Sequence, residues 1–234
     1  MSETPVALVV EGGSGIGADA ARKLAADGYH VGVMSSSGAG EALGFELGGF
    51  GFTGSNLIVN DLQQFVGKAM QRWDRVDAVV NSAGHGPKGD VLEISDEDWH
   101  RGLDVYLMNV VRMARVVTPI MQEQGGGSIV NVSTFAGFEP DPDFPTSAVF
   151  RAGLADFTKL FAAKYAAYDV RMNNVLPGFV DSLPEQPDRV ARIPAGRCAR
   201  VEHLSEVIAF LASDRSSSVT GQNIRVDGGL TASV

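Results

Sequence analysis

The feature that most narrows the fold of this chain is an alternation between short runs rich in β-branched residues and longer stretches with helical periodicity. VALVV at 6–10, HVGVM at 30–34, VDAVV at 76–80, SIVNV at 128–132, VRMNNVL at 170–176 and NIRV at 223–226 read as strands, with a weaker one near 50–53. Amphipathic helices are expected near 16–27, 60–72, 96–124, 147–168 and 202–213. Asp96 and Glu97 place negative charge at the start of the third, where the helix dipole is positive. Strands that are apolar throughout and joined by helices predict a parallel sheet covered on both faces.

That pattern is an α/β, Rossmann-like doubly wound sheet flanked by helices, and 234 residues at 44% hydrophobic content suit one domain over 1–234. Ligands of such sheets sit beyond the carboxyl ends of the strands, where the winding reverses. A formal charge of −9 argues against nucleic acid or an anionic membrane as partner, because phosphate binding needs a basic face. The single Cys198 excludes an internal disulfide and is expected to be an inert small residue. The opening MSETPVALVV lacks the basic start and apolar core of a signal peptide, so a soluble, cytoplasmic protein is expected. His30, His100 and His203 show no ligand spacing, and no metal is expected.

The first strand end carries VVEGGSGIG, followed by the helix-forming ADAARKLAADG. Gly12, Gly13, Ser14, Gly15, Ile16 and Gly17 thus form a flexible turn into a helix N-terminus, whose free N–H groups and dipole attract a pyrophosphate. A tight turn with no ligand is the competing explanation.

With NSAG at 81–84, GGGSIVNVS ending near Ser133, LPGFVDS at 176–182 and FLASD…TGQNIRVDGG at 210–229, the chain resembles the short-chain dehydrogenase/reductase family along essentially its whole length. The resemblance implies an NAD(P)-dependent oxidoreductase acting on a small carbonyl or alcohol. It also implies a cofactor held by the glycine turn, by Asn81, Ala83 and Gly84, and by Pro177 and Gly178. A homodimer or homotetramer is the assembly it implies.

The departures from the family fall on the chemistry. Against its T-G-x-x-x-G-x-G loop, an ungapped register puts Val10 on the Thr, Glu11 on the first Gly, and Gly15 and Gly17 on the others. A carboxylate there would face the pyrophosphate; alternatively the loop is one residue shorter and Gly12 is the first glycine. At the end of the second strand Ser35, Ser36 and Ser37 replace the acidic residue that accepts from the NAD ribose, a slight lean to NADP. The family's Asn, Ser, Tyr and Lys become Tyr106, Thr134, Ser147 and Arg151.

Thr134 keeps a hydroxyl and Arg151 a positive charge able to fork onto ribose hydroxyls or an anion. Ser147 cannot replace a phenol, because an aliphatic hydroxyl is a far weaker acid. Tyr106 is a candidate for the displaced acid/base, with Arg151 favouring its phenolate; the commoner role of a tyrosine at such a position is a packed core residue. His85, after NSAG, is expected to be a loop histidine facing water. Phe150, Leu154, Phe157, Phe161, Tyr165 and Tyr168 form an apolar stripe suited to core or to a subunit interface. Residues 181–193, with Glu185, Asp188, Arg189 and Arg192, correspond to a short, stiff substrate lid, and Phe135, Phe138 and Phe144 are candidates for an apolar pocket wall.

Three functions follow from this pattern. The first is a divergent oxidoreductase, and the second a non-catalytic member of the fold that binds a ligand or partner subunit. The third is a non-redox enzyme similar to the halohydrin dehalogenases, which carry Arg at the position of Arg151.

Overall fold

A computed structural model describes residues 4–182 and 184–233; Leu183, inside the expected lid, lies outside them. Seven parallel strands form one sheet in the order β3-β2-β1-β4-β5-β6-β7. They are β1 Val6–Val10, β2 His30–Ser35, β3 Phe50–Thr53, β4 Ala78–Asn81, β5 Gly127–Val132, β6 Val170–Pro177 and β7 Asn223–Val226. The winding runs outward from β1 to β3, then returns to the other side of β1 at β4. The carboxyl ends of β1 and β4 therefore flank the crevice that doubly wound sheets use for ligands.

Strand alternation divides the core into two layers. Val6, Leu8 and Val10 of β1 pack with α3 (Val59–Trp73), α5 (Asn109–Glu123) and α6 (Pro145–Tyr165). Ala7 and Val9 point the other way, onto α1 (Gly15–Ala26) and α8 (Val201–Ala212). All five β1 side chains are buried, as expected of a strand covered on both faces.

Every expected strand and helix is present, with three differences. A helix α2 (Gly38–Glu46) follows β2 where no helix was expected; its GAGEALGFE carries three glycines, each unfavourable in a helix. The strand expected at 76–80 is β4 at Ala78–Asn81, because Asp77 is engaged at its edge, accepting the Val6 N–H at 2.7 Å and pairing with Arg75. The long helix expected over 96–124 is divided into α4 (Asp96–Leu103), a π-helical turn at Asp104–Met108, and α5. Ser95 caps α4 by accepting the Asp98 N–H, and Asp96, Glu97 and Asp98 fill its first turn.

A chain of amides, buried on β4, β5 and β6, crosses the sheet from β4 to β7. Asn81 donates to Asn131 at 2.9 Å, Asn131 to Asn174 at 2.9 Å, and Asn174 to Asn223 at 2.7 Å, each between register partners on neighbouring strands. Buried amides that satisfy one another resist a slip in register, since a slip would leave each of them unpaired. The ladder thereby ties β4, β5, β6 and β7 to one another.

Candidate active site

The crevice is a cleft of about 690 Å³. Its cofactor end is lined by Glu11, Ser14, Gly15 and Ile16 from the β1–α1 turn and by Ser82, Ala83 and Gly84 after β4. Its far end is lined by Tyr106, Thr134, Ser147, Arg151, Pro177 and Gly178. The structure thus brings all four tetrad positions to one cavity with most of the expected cofactor residues.

In the β1–α1 turn, Glu11 follows β1 with φ 53°, in the left-handed region where a glycine is at no disadvantage. Glu11 thus occupies a conformation that favours glycine, which accords with the ungapped register. Gly12 is a glycine for another reason, since a Cβ there would come within 2.7 Å of Val33. Gly17 lets α1 close on the turn, because a Cβ would meet the Glu11 carbonyl at 2.6 Å. Gly12, Gly13 and Gly17 support the turn without lining the cleft.

The turn fits an anionic group. α1 has no acidic residue in its first turn, and Ser14 at its N-cap makes no side-chain capping bond, so the first-turn N–H groups and the Ser14 hydroxyl are left for a ligand. Glu11 bears on this fit through its protonation, because burial pushes its carboxyl above the ordinary 4.5 and favours the neutral acid. A neutral Glu11 can donate to a phosphate oxygen where a carboxylate would repel it.

Two expected cofactor residues are turned to the fold instead. Ser35 is buried, donating to the Ser37 carbonyl and accepting the Gly40 N–H at 2.9 Å, which fastens the start of α2. Ser36 and Ser37 are exposed and leave their hydroxyls at the strand end. Asn81 spends its side chain in the amide ladder, leaving the backbone of the following residues to face the cleft.

At the far end the π-helical turn carries Tyr106. A π-turn inserts one extra residue per turn and re-aims the side chains on it, which is why such turns recur at functional sites. The Tyr106 hydroxyl accepts the Gly86 N–H at 2.6 Å, and the ring packs so closely that a Cβ on Gly86 would sit 2.6 Å from Cε2. Its own O–H proton has no acceptor among the described residues. Thr146, at the start of α6, donates to the Pro87 carbonyl at 2.6 Å and pins the same loop.

Arg151 lies one turn further along α6, with its guanidinium 5.2 Å from the Tyr106 ring centroid. It is 4% exposed, and its Nη1 has no hydrogen-bond partner among the described residues. Burial pushes the Arg151 guanidinium down to about 10, partly offset by Tyr106, so it remains charged at neutral pH. A buried, charged fork with a free nitrogen suits the hydroxyls of a ribose. Thr134 begins β5's exit loop by accepting the Ala136 N–H at 3.3 Å, which leaves its own proton to give. Ser147 also lines the cleft.

Among residues weighed less heavily in the sequence, His85 is exposed at the cleft, whereas His30 stacks on Trp73 at 5.1 Å and His100 and His203 bond within their own helix ends. Phe135 and Phe144 line the cleft; Phe138 does not, being 41% exposed with Arg225 over its ring. Cys198 lines the cleft and is buried, with its thiol pushed up mainly by desolvation, as suits an unreactive residue. In the lid, Glu185 and Arg189 reach the cleft, while Arg192 pairs with Asp141 outside it. Sequence reasoning missed Gly86, Lys88 and Phe179; Gly86 and Lys88 follow NSAG so closely that their place near the cleft was open to inference.

Comparison with known proteins agrees with this arrangement. Residues 10–231 match the family described as Enoyl-(Acyl carrier protein) reductase. The chain is 39% identical to 3-oxoacyl-(acyl-carrier-protein) reductase FabG of Thermotoga maritima over 178 residues, covering 73% of this chain and 72% of that protein. It is 32% identical to trans-4-hydroxycyclohexanecarboxylate dehydrogenase of Sinomonas cyclohexanicum, covering 97% and 93%. It is 31% identical to dehydrogenase/reductase SDR family member 4 of Homo sapiens, covering 96% and 86%. The chain belongs to the short-chain dehydrogenase/reductase family, a family of NAD(P)-dependent oxidoreductases.

Proposed function

We propose that this protein is an NAD(P)-dependent oxidoreductase of a small carbonyl or alcohol in which Tyr106 replaces the tyrosine absent at Ser147. The observation that carries this reading is Tyr106, which lines the cleft and whose hydroxyl accepts the Gly86 N–H while its own proton has no acceptor among the described residues. Ser14, Gly15 and Ile16, with the first turn of α1, would hold the pyrophosphate, and Arg151 the ribose. NAD(P) bound there would supply or accept the hydride.

The chain's own contribution is the proton. In the reducing direction the Tyr106 O–H gives its proton to the carbonyl oxygen, which becomes the alcohol, and the Gly86 N–H and the Arg151 charge support the phenolate left behind. In the oxidising direction the same oxygen takes the proton back. Thr134 donates a hydrogen bond to the substrate oxygen and polarises the carbonyl. Serines at the end of β2 favour NADP over NAD by a small margin, since Ser36 can donate to a 2′-phosphate.

A homodimer or homotetramer accords with apolar side chains left outside on α6, where Val149 is 53% and Leu160 72% exposed. No helix among the described residues is long and apolar enough to cross a membrane. The whole of 1–234 is read as one catalytic domain with a short lid over 181–193.

Titration with NADH and NADPH, followed by nicotinamide fluorescence, is the first test. Binding of at least one supports the oxidoreductase; absence of both leaves a protein that binds a ligand or partner without redox chemistry. Turnover of a ketone panel by Tyr106→Phe is the second, with a fall of about 100-fold or more expected from loss of a general acid.

A further inference from the structure

The mouth of the cleft holds two cations for which the proton chemistry has no use. Lys88, on the loop after β4, places Nζ 4.7 Å from the Phe144 ring centroid. Arg189, on the single turn α7 (Pro187–Val190), stands 5.8 Å from the same ring and 5.1 Å from that of Phe179. All four side chains line the cleft, so two segments distant in sequence bring positive charge to one aromatic wall.

Neither cation forms a salt bridge among the described residues. Arg192, three residues beyond Arg189, is by contrast neutralised by Asp141. Glu185, the acid of the lid that lines the cleft, forms no salt bridge with either cation among the described residues. The chain as a whole has 28 acidic against 19 basic residues, yet the described lining counts Lys88, Arg151 and Arg189 against Glu11 and Glu185. An acidic protein has here kept a cationic, aromatic-walled pocket.

We propose that the substrate is a carboxylate: an apolar body lies against Phe135, Phe144 and Phe179, and the carboxylate is held at the mouth between Lys88 and Arg189. This names the substrate class of the site read above as an oxidoreductase and rests on that reading for turnover, though not for binding. The ring faces hold the two cations near the mouth through their quadrupoles. A carboxylate reaching them gains charge-assisted hydrogen bonds, and the arginine fork matches its two oxygens. A neutral ligand of the same shape gains only the apolar contact. Because Lys88 is exposed, the attraction is open to screening by salt.

The test uses 4-acetylbenzoate and its methyl ester, which share ring and ketone and differ in charge. By calorimetry at low ionic strength the carboxylate should bind the full chain about tenfold more tightly than the ester. The preference should shrink at about 0.5 M salt, where the screening length is a few ångströms. Lys88→Met combined with Arg189→Met should bring the two ligands within about twofold of each other, and Lys88→Met alone, in an exposed loop, should take part of that step. Equal affinities in the unaltered protein, a preference that survives the double substitution, or no measurable binding of either ligand overturns the proposal. Titration of the same samples with NADH and NADPH separates the two readings: absence of binding to both removes the oxidoreductase and leaves the carboxylate preference standing, whereas cofactor binding without a carboxylate preference does the opposite.

Discussion

The turn after β1 and the π-helical turn before α5 both depart from the family's residues, and they do so in opposite ways. In the first, the backbone keeps the left-handed conformation of a glycine although the residue is Glu11, so the shape survives and the side chain is the intruder. In the second, the backbone is unusual and the side chain, a phenol, is the kind the chemistry needs. The cofactor end thus preserves a surface of N–H groups that any residue can offer. The far end depends on one oxygen at one place.

The comparison is tested most severely by Tyr106→Phe. If the phenol has moved, turnover falls about 100-fold to 10,000-fold while NADPH affinity, measured by fluorescence, stays within about twofold. Unchanged turnover would return Tyr106 to the role of a packed tyrosine. Gly86→Ala comes next, because its Cβ would collide with the Tyr106 ring. Steady-state kinetics should show kcat reduced by about tenfold to 100-fold with less change in cofactor binding, as follows from misplacing a proton donor by an ångström.

Arg151→Met separates catalysis from stability. Removing a buried, unpaired charge in favour of an apolar side chain of similar length should leave the melting temperature unchanged or raise it. Cofactor affinity should fall by about tenfold as the charged hydrogen bonds to the ribose are lost. A large drop in melting temperature would instead make Arg151 a structural element of α6.

The smallest expected effect concerns Glu11. Its folded pKa is raised, so the neutral acid is favoured in the fold. The associated stability is complete below the ordinary glutamate value and is lost as pH rises through the raised one. NADPH affinity should weaken over that same rise as the carboxylate forms beside the phosphates. Glu11→Gln should bind NADPH a few-fold more tightly above that window and abolish that part of the pH dependence, read by titration at several pH values. An unchanged pH profile would mean that Glu11 turns away from the phosphates.

Much of the fold could be read from residues alone, because β-branched runs such as VALVV and SIVNV cannot serve as anything but buried strands in this pattern, and Asp96 and Glu97 announce a helix start. Helix α2 escaped because GAGEALGFE lacks local helical preference and owes its form to packing against β2 and β3. The π-turn escaped because an extra residue within a continuous helical pattern leaves no mark on periodicity. Thr134, Ser147, Arg151 and Tyr106 were found by register, and the structure gathers them in one cleft. Ser35 and Asn81 share the register of cofactor residues, but their side chains are spent in hydrogen bonds that hold the fold, Ser35 to the start of α2 and Asn81 to Asn131 on the neighbouring strand.

The sequence by itself determined the sheet, the order of its helices and the list of altered positions, because hydrophobic periodicity and the choice of side chain are local properties. Only the tertiary structure decided that Glu11 occupies a glycine's conformation, that the Tyr106 hydroxyl meets Gly86 across twenty residues, and that Lys88 and Arg189 share one aromatic ring. Those depend on where distant segments come to rest. Hydrogen bonds and charge pairs act over a few ångströms, a scale that chain order does not record.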